Sequence, residues 1–167
     1  MKRWLFLCVC LWANQGFAVS ASFVVQGTLV LSPCVLPPEA SQIEVDMGNW
    51  SQETFAVSET GPAVPFVIHL EECYPEVAST AEVSFNGQST VENTDVLSLD
   101  TSSTATGIGI AISGQDGRTI TLNRGVYAWR LASGVNDIPL QAQVIVVSDT
   151  VQPGTYSATV NFTLSYP

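Results

Sequence analysis

From Tyr156 to Tyr166 the chain alternates without a break, with Tyr156, Ala158, Val160, Phe162, Leu164 and Tyr166 on one parity and Ser157, Thr159, Asn161, Thr163 and Ser165 on the other. Side chains of an extended strand point to opposite faces in turn, so this run is a strand with one face on an apolar surface and the other in solvent. A helix would scatter the same residues around its whole circumference. The protein therefore ends in one long half-buried β-strand, either the last strand of a sandwich or a docking surface.

The rest of the sequence shows the same period. Phe23, Val25, Gly27, Leu29 and Leu31 alternate before the break at Pro37 and Pro38, and Ile43 to Met47 alternate more weakly. Asn49 to Ala63 reads as a polar surface loop. Phe66, Ile68 and Leu70 share a strand face that runs into Cys73, and Ala81, Val83 and Phe85 share another. Val96, Leu97 and Leu99 mark a short edge piece. Ile108, Ile110 and Ile112 alternate with small residues, and a turn at Asp116 and Gly117 leads to Ile120 and Leu122 as a hairpin. Ile138 to Val146 forms a further long strand. About seven to nine strands separated by turn signals, in a chain of 167 residues, predict one all-β domain, an Ig-like sandwich.

Compartment follows from the N-terminus and the cysteines. Lys2 and Arg3 precede an apolar stretch from Leu5 to Trp12 and then small residues, which is the pattern of a secretory signal over 1–21, too short and wrongly flanked for a membrane anchor. Cleavage after Ala18 or after Ala21 fits equally. Either removes Cys8 and Cys10 and leaves Cys34 and Cys73, which in an oxidising compartment read as one disulfide. Loss of the signal also removes Lys2 and Arg3, so Arg118, Arg124 and Arg130 face 15 acidic side chains. Such a surface repels phosphate backbones and anionic lipid, which excludes nucleic acid as a partner and a direct membrane anchor.

The residue set for catalysis is missing. His69 is the single histidine and lies opposite the Phe66, Ile68, Leu70 face, so it has no second imidazole to make a zinc site. Glu71 and Glu72 are neighbours on a strand and point apart, the wrong geometry for a cooperating acid and base. Asp95, Asp100 and Asp116 lack calcium-loop spacing. The glycines of "TGIGIAI" precede no helix, so they read as strand packing and not as a nucleotide site. We read the chain as a non-enzyme that needs no cofactor and no metal. Trp50, Tyr74, Tyr127 and Trp129 fall in or near expected loops, where they would either pack over the sandwich ends or stack on sugars.

The ending "PGTYSATVNFTLSYP" resembles the C-terminus of chaperone–usher pathway pilus subunits, with a glycine fourteenth from the end, here Gly154, alternating apolar residues and a penultimate tyrosine, here Tyr166. "GTLVLSPC", "PFVIHLEEC" and "TGIGIAI" follow the same family in the same order. Terminal Pro167 departs from the family's more usual polar or charged ending. The leader before Cys34, 12 or 15 residues by cleavage site, looks most like those of minor tip and adaptor subunits.

The resemblance implies an incomplete Ig-like β-sandwich, the pilin fold, lacking its final strand. About five apolar side chains left uncovered, at roughly 1.5 to 3 kcal/mol each, withhold something on the order of 10 kcal/mol of burial. It also implies partners: a periplasmic pilus chaperone that lends a strand beside Gly154, Tyr156, Ala158, Val160, Phe162, Leu164 and Tyr166, an outer-membrane usher, and neighbouring pilus subunits. The donor face would be Val25, Gly27, Leu29 and Leu31, with Gly27 matching the family's donor glycine; a bulge in the chain's own first strand is the other reading of that residue. The implied organisation is a signal at 1–21, a donor segment at 22–33 and a pilin domain at 34–167, exported through the periplasm to an extracellular, cell-surface fimbrium for cell adhesion. A complete Ig-like domain binding a receptor or sugar as an adhesin, and a subunit terminating or anchoring a pilus, are the alternatives.

Overall fold

The computed structural model describes residues 31–167. The expected signal and the donor positions Val25, Gly27 and Leu29 lie outside the described residues. Within them the strands, numbered in chain order, are β1 (Thr60–Cys73), β2 (Thr80–Asn86), β3 (Ile108–Gly114), β4 (Val126–Arg130), β5 (Gly134–Val146) and β6 (Asn161–Ser165). They form two antiparallel sheets in the orders β1-β5-β3 and β4-β2-β6.

Strand parity explains how the sheets close on each other. Ile68 and Leu70 of β1 face inward with Ile138, Leu140 and Val144 of β5, all within 1% of complete burial. Ala81, Val83 and Phe85 of β2 meet them from the second sheet. Each fully buried aliphatic side chain contributes about 1.5–3 kcal/mol, so this interlayer is the principal source of stability. The disulfide joins Cys34 to Cys73 as the sequence indicated, both nearly fully buried. Beside it Val35 and Glu71 exchange main-chain hydrogen bonds of 2.8 and 2.9 Å.

The glycine-spaced strand β3 owes its composition to what lies on it. Leu97 and Ile110 exchange backbone bonds of 2.8 and 3.0 Å, which realises the expected edge piece as an isolated bridge. A Cβ on Gly109 would stand 2.6 Å from Val96 Cγ1 and 2.9 Å from Leu97 O, so no larger residue fits. Beyond β3 the chain turns at Asp116, whose Oδ1 accepts from the Arg118 N–H at 3.0 Å. Ile120 donates to Ile112 O at 2.8 Å, and Ile120 and Leu122 are buried, but the return leg does not continue as a ladder.

Several expectations are corrected. The stretch read as a polar loop holds a six-residue helix, α1 (Gln52–Val57), and the start of β1. So short a helix has no room for an apolar period. Tyr127 and Trp129 lie on β4, paired with Val83 and Ala81, and pack half-buried against the core instead of standing in loops. Six strands are found among the described residues; of the about seven to nine expected, the first, from Phe23, lies outside the described residues but for Leu31, and Ile43–Met47 and the return leg at Ile120 form no ladder.

Candidate functional site

The terminal strand is held in two different ways along its length. In β6, Phe162 pairs with Phe85 and Leu164 with Val83, an ordinary antiparallel ladder to β2. Residues 155–160 have left β2, and the loop at 100–105 holds them instead. Thr104 and Ala105 N–H groups both donate to Thr155 O (2.8 and 3.0 Å), and Asp100 N–H donates to Ser157 O (2.8 Å). Thr155 N–H donates to Thr104 Oγ1 at 2.8 Å and Ser157 N–H to Ser103 Oγ at 3.0 Å. The Asp100 carboxylate gathers three more at 3.1 Å, from Thr159 N–H, Thr159 Oγ1 and Ser157 Oγ.

Gly154 is where this clamp begins, and space is the reason for glycine. A Cβ there would stand 2.5 Å from Thr104 Oγ1 and 2.6 Å from the Thr104 carbonyl carbon, and would press on Ala105 N. Two backbones cross at a separation that admits no side chain.

All of these bonds use the odd-numbered residues, whose polar groups point toward the 100–105 loop. The even-numbered groups point the other way. Among the described residues, the N–H and C=O of Tyr156, Ala158 and Val160 have no hydrogen-bond partner. Their side chains, with Phe162, Leu164 and Tyr166, pack against the core yet stay only half-buried.

A second segment shows the same state. Ile43, Val45 and Met47 are half-buried against the core while Gln42, Glu44 and Asp46 are exposed, and no strand pairs with them among the described residues. Tyr156 ties the two segments at one end, its hydroxyl donating to Gly48 O at 3.3 Å. Burial raises the Tyr156 phenol above its ordinary value, with the Asp46 carboxylate adding to the effect, and burial alone raises Tyr166. The arrangement is a floor of apolar side chains bounded by extended backbone with free pairing groups. Chemically it suits an extended peptide that supplies both N–H and C=O groups and alternate apolar side chains.

Of the remaining sequence candidates, Leu31 sits at the start of the described residues and is 82% exposed. His69 projects from β1 to Asp137 on β5, Nδ1 to Oδ1 2.6 Å, with Glu71 Oε1 3.3 Å from Nε2. The hydrogen bond to Asp137, then that to Glu71, raises its pKa above 6.5. This is a cross-strand surface clamp. Asp100, Ser103 and Thr104 were not singled out as anchors, because nothing in a Ser/Thr-rich turn announces which distant strand it will bind.

An all-β sandwich whose terminal strand leaves one side of its backbone unpaired above half-buried apolar side chains defines the class of protein: an incomplete Ig-like domain. The fimbrial protein family model matches residues 23–167. The chain belongs to that family. It is 31% identical to an uncharacterised fimbrial-like protein of Escherichia coli, YcbV, over 97% of this chain and 95% of that one. It is 32% identical to the probable major fimbrial subunit LpfA of Escherichia coli O157:H7, covering 99% of this chain and 97% of LpfA. Among solved structures the P pilus rod subunit PapA superposes with a TM-score of 0.70 over 81% of this chain and all of that one, at 23% identity, a likeness of fold. The type I fimbria protein of Burkholderia pseudomallei superposes with a TM-score of 0.62 at 28% identity, covering 81% of this chain and 90% of that one.

Proposed function

We propose that this chain is a structural subunit of a chaperone–usher fimbria that polymerises by donor-strand exchange and supports cell adhesion at the bacterial surface. The observation that carries the reading is the unpaired edge at Tyr156, Ala158 and Val160 above half-buried apolar side chains, opposite the equally unpartnered Ile43, Val45 and Met47. A strand laid between them gains main-chain hydrogen bonds and apolar burial together. In the periplasm a chaperone strand fills this role first. At the outer-membrane usher the segment around Val25, Gly27, Leu29 and Leu31 of the next subunit replaces it, after removal of the signal at 1–21. Nothing in this role calls for catalysis, so the chain does no chemistry of its own.

The short leader before Cys34 favours a minor tip or adaptor position. Similarity to LpfA, described as a probable major subunit, over 97% of its length favours a place along the shaft as a second reading. Antibody labelling of native fimbriae separates them, by signal at the tips or along the length. The reading as a whole is tested by Phe162→Asp and Thr163→Asp. Phe162 faces the core and Thr163 faces solvent on the opposite parity. The first should abolish chaperone-dependent recovery and surface fimbriae, and the second should leave most of both; equal loss would overturn the face assignment.

A further inference from the structure

The groove leaves unused an apolar surface at the disulfide end of the sandwich. Leu31 is 82% exposed, Val35 46%, Tyr74 50% and Val77 49%. Scattered exposed apolar side chains need no explanation, but these sit on one rigid knot. Tyr74 N–H donates to Pro33 O at 2.7 Å, Val77 N–H to Tyr74 O at 2.9 Å, Val35 is bonded both ways to Glu71, and Cys34 is linked to Cys73. At the Gly154 end of the groove lies a second apolar surface, a shallow hollow lined by Trp50, Phe55, Val151, Pro153 and Tyr156.

We infer that the disulfide knot is a head-to-tail contact surface between copies of this chain: Val35, Tyr74 and Val77 of one subunit seat against the Trp50, Pro153 and Tyr156 mouth of the copy whose groove holds the first subunit's N-terminal segment. The inference rests on the donor-strand reading above, with the chain placed along the shaft where its neighbours are its own copies, and adds a contact outside the groove. The tether commits the occupant. From Leu31, the last residue of the donor face, to Cys34 is three residues, a span of at most about 10 Å. Cys34 is fixed to β1, so a groove filled up to Leu31 brings its mouth onto the knot. Direction selects the mouth: an antiparallel ladder is the more stable, and a donor antiparallel to 155–166 ends beside Tyr156, away from Tyr166. Charge selects the chemistry. With three arginines left against 15 carboxylates, two copies repel each other overall, which favours a contact carried by apolar side chains. The result is a heterologous interface that repeats along a fibre and limits bending at each joint.

The test uses fimbriae assembled in cells from the full chain, with the photo-cross-linking residue p-benzoylphenylalanine placed at Tyr74 and, separately, at Val77. Irradiation should give covalent dimers whose linked peptides contain Trp50 or Pro153 of a second copy. Links to the Tyr166 end of a second copy, links to a different protein, or no dimers from well-formed fimbriae would each overturn the contact while leaving strand donation standing. Failure of the unsubstituted chain to enter any fibre would overturn the donor-strand reading itself. If the photo-residue blocks assembly, the double variant Tyr74→Ser/Val77→Ser provides a second readout. Fibres should still form but shorten under shear more than the parent's, with unchanged melting of a donor-linked monomer; shear lengths equal to the parent's would overturn the contact.

Discussion

Gly154→Ala is the sharpest probe of the clamp on the terminal strand. The added methyl would fall 2.5 Å from Thr104 Oγ1 and 2.6 Å from the Thr104 carbonyl carbon. The carbon is backbone and cannot swing aside, so residues 154–156 must move away from the 100–105 loop. Overpacking of this kind costs about 1–3 kcal/mol. The displacement also weakens three hydrogen bonds at Thr155, those from Thr104 N–H, Ala105 N–H and to Thr104 Oγ1, at roughly 0.5–1.5 kcal/mol each if lost outright. Partial loss gives a total of about 2–4 kcal/mol, a shift in Tm of roughly 8–16 °C for a domain of this size. Thermal and urea unfolding of the chain stabilised by a linked donor strand would measure it. Gly117→Asn is the control, since Gly117 has φ +74° with nothing within 4 Å, a conformation asparagine adopts readily, and it should stay close to the parent. A Gly154→Ala protein within about 0.5 kcal/mol of the parent would refute the close-approach argument.

Removing the Cys34–Cys73 bridge by paired serine substitution opens a constraint spanning 39 residues and should cost about 2–5 kcal/mol, read as a lowered urea midpoint in the donor-linked chain. Because the bridge also pins the start of the domain to β1, the loss should be larger than for any single exposed residue. A proton on His69 is favoured in the fold over the unfolded chain, first by Asp137 and then by Glu71. Its contribution is whole below the unfolded value of 6.5 and fades as pH climbs through the raised folded value. His69→Gln should flatten the pH dependence of Tm across that window, and a parent protein that gains stability on passing from mildly acid to mildly alkaline pH through this residue would contradict the pairing.

Much of the fold was legible because burial follows parity. The alternation of Ile68 and Leu70, of Ala81, Val83 and Phe85, and of Ile138 to Val144 gave the core strands directly. β4 escaped because its inward residues are only Tyr127 and Trp129, with exposed Val126 and Arg130 at its ends, a pattern that resembles an aromatic loop. The terminal strand shows the limit most plainly. Parity identified the face that Tyr156 to Tyr166 turn to the core, but it carries no information on which backbone pairs with which. That residues 155–160 are bound by Asp100, Ser103 and Thr104 and not by a strand depends on contacts about 50 residues apart. Gly154 was legible as a family signature, whereas its cause, the crossing of two backbones, required the folded chain. The donor residues Val25, Gly27 and Leu29 remain sequence-based expectations.

If another chain supplies the strand that the sandwich lacks, a strand linked to the same chain should complete and stabilise it. Two forms exported to the periplasm decide this by size exclusion and thermal melting: the chain as it is, and the chain with a flexible linker and an alternating apolar donor strand after Pro167. The extended form should be a monomer with a much higher Tm, while the plain form aggregates or is degraded. A plain form that is already a stable monomer, with a Tm unchanged by the added strand, would contradict strand donation and leave a complete Ig-like domain in its place.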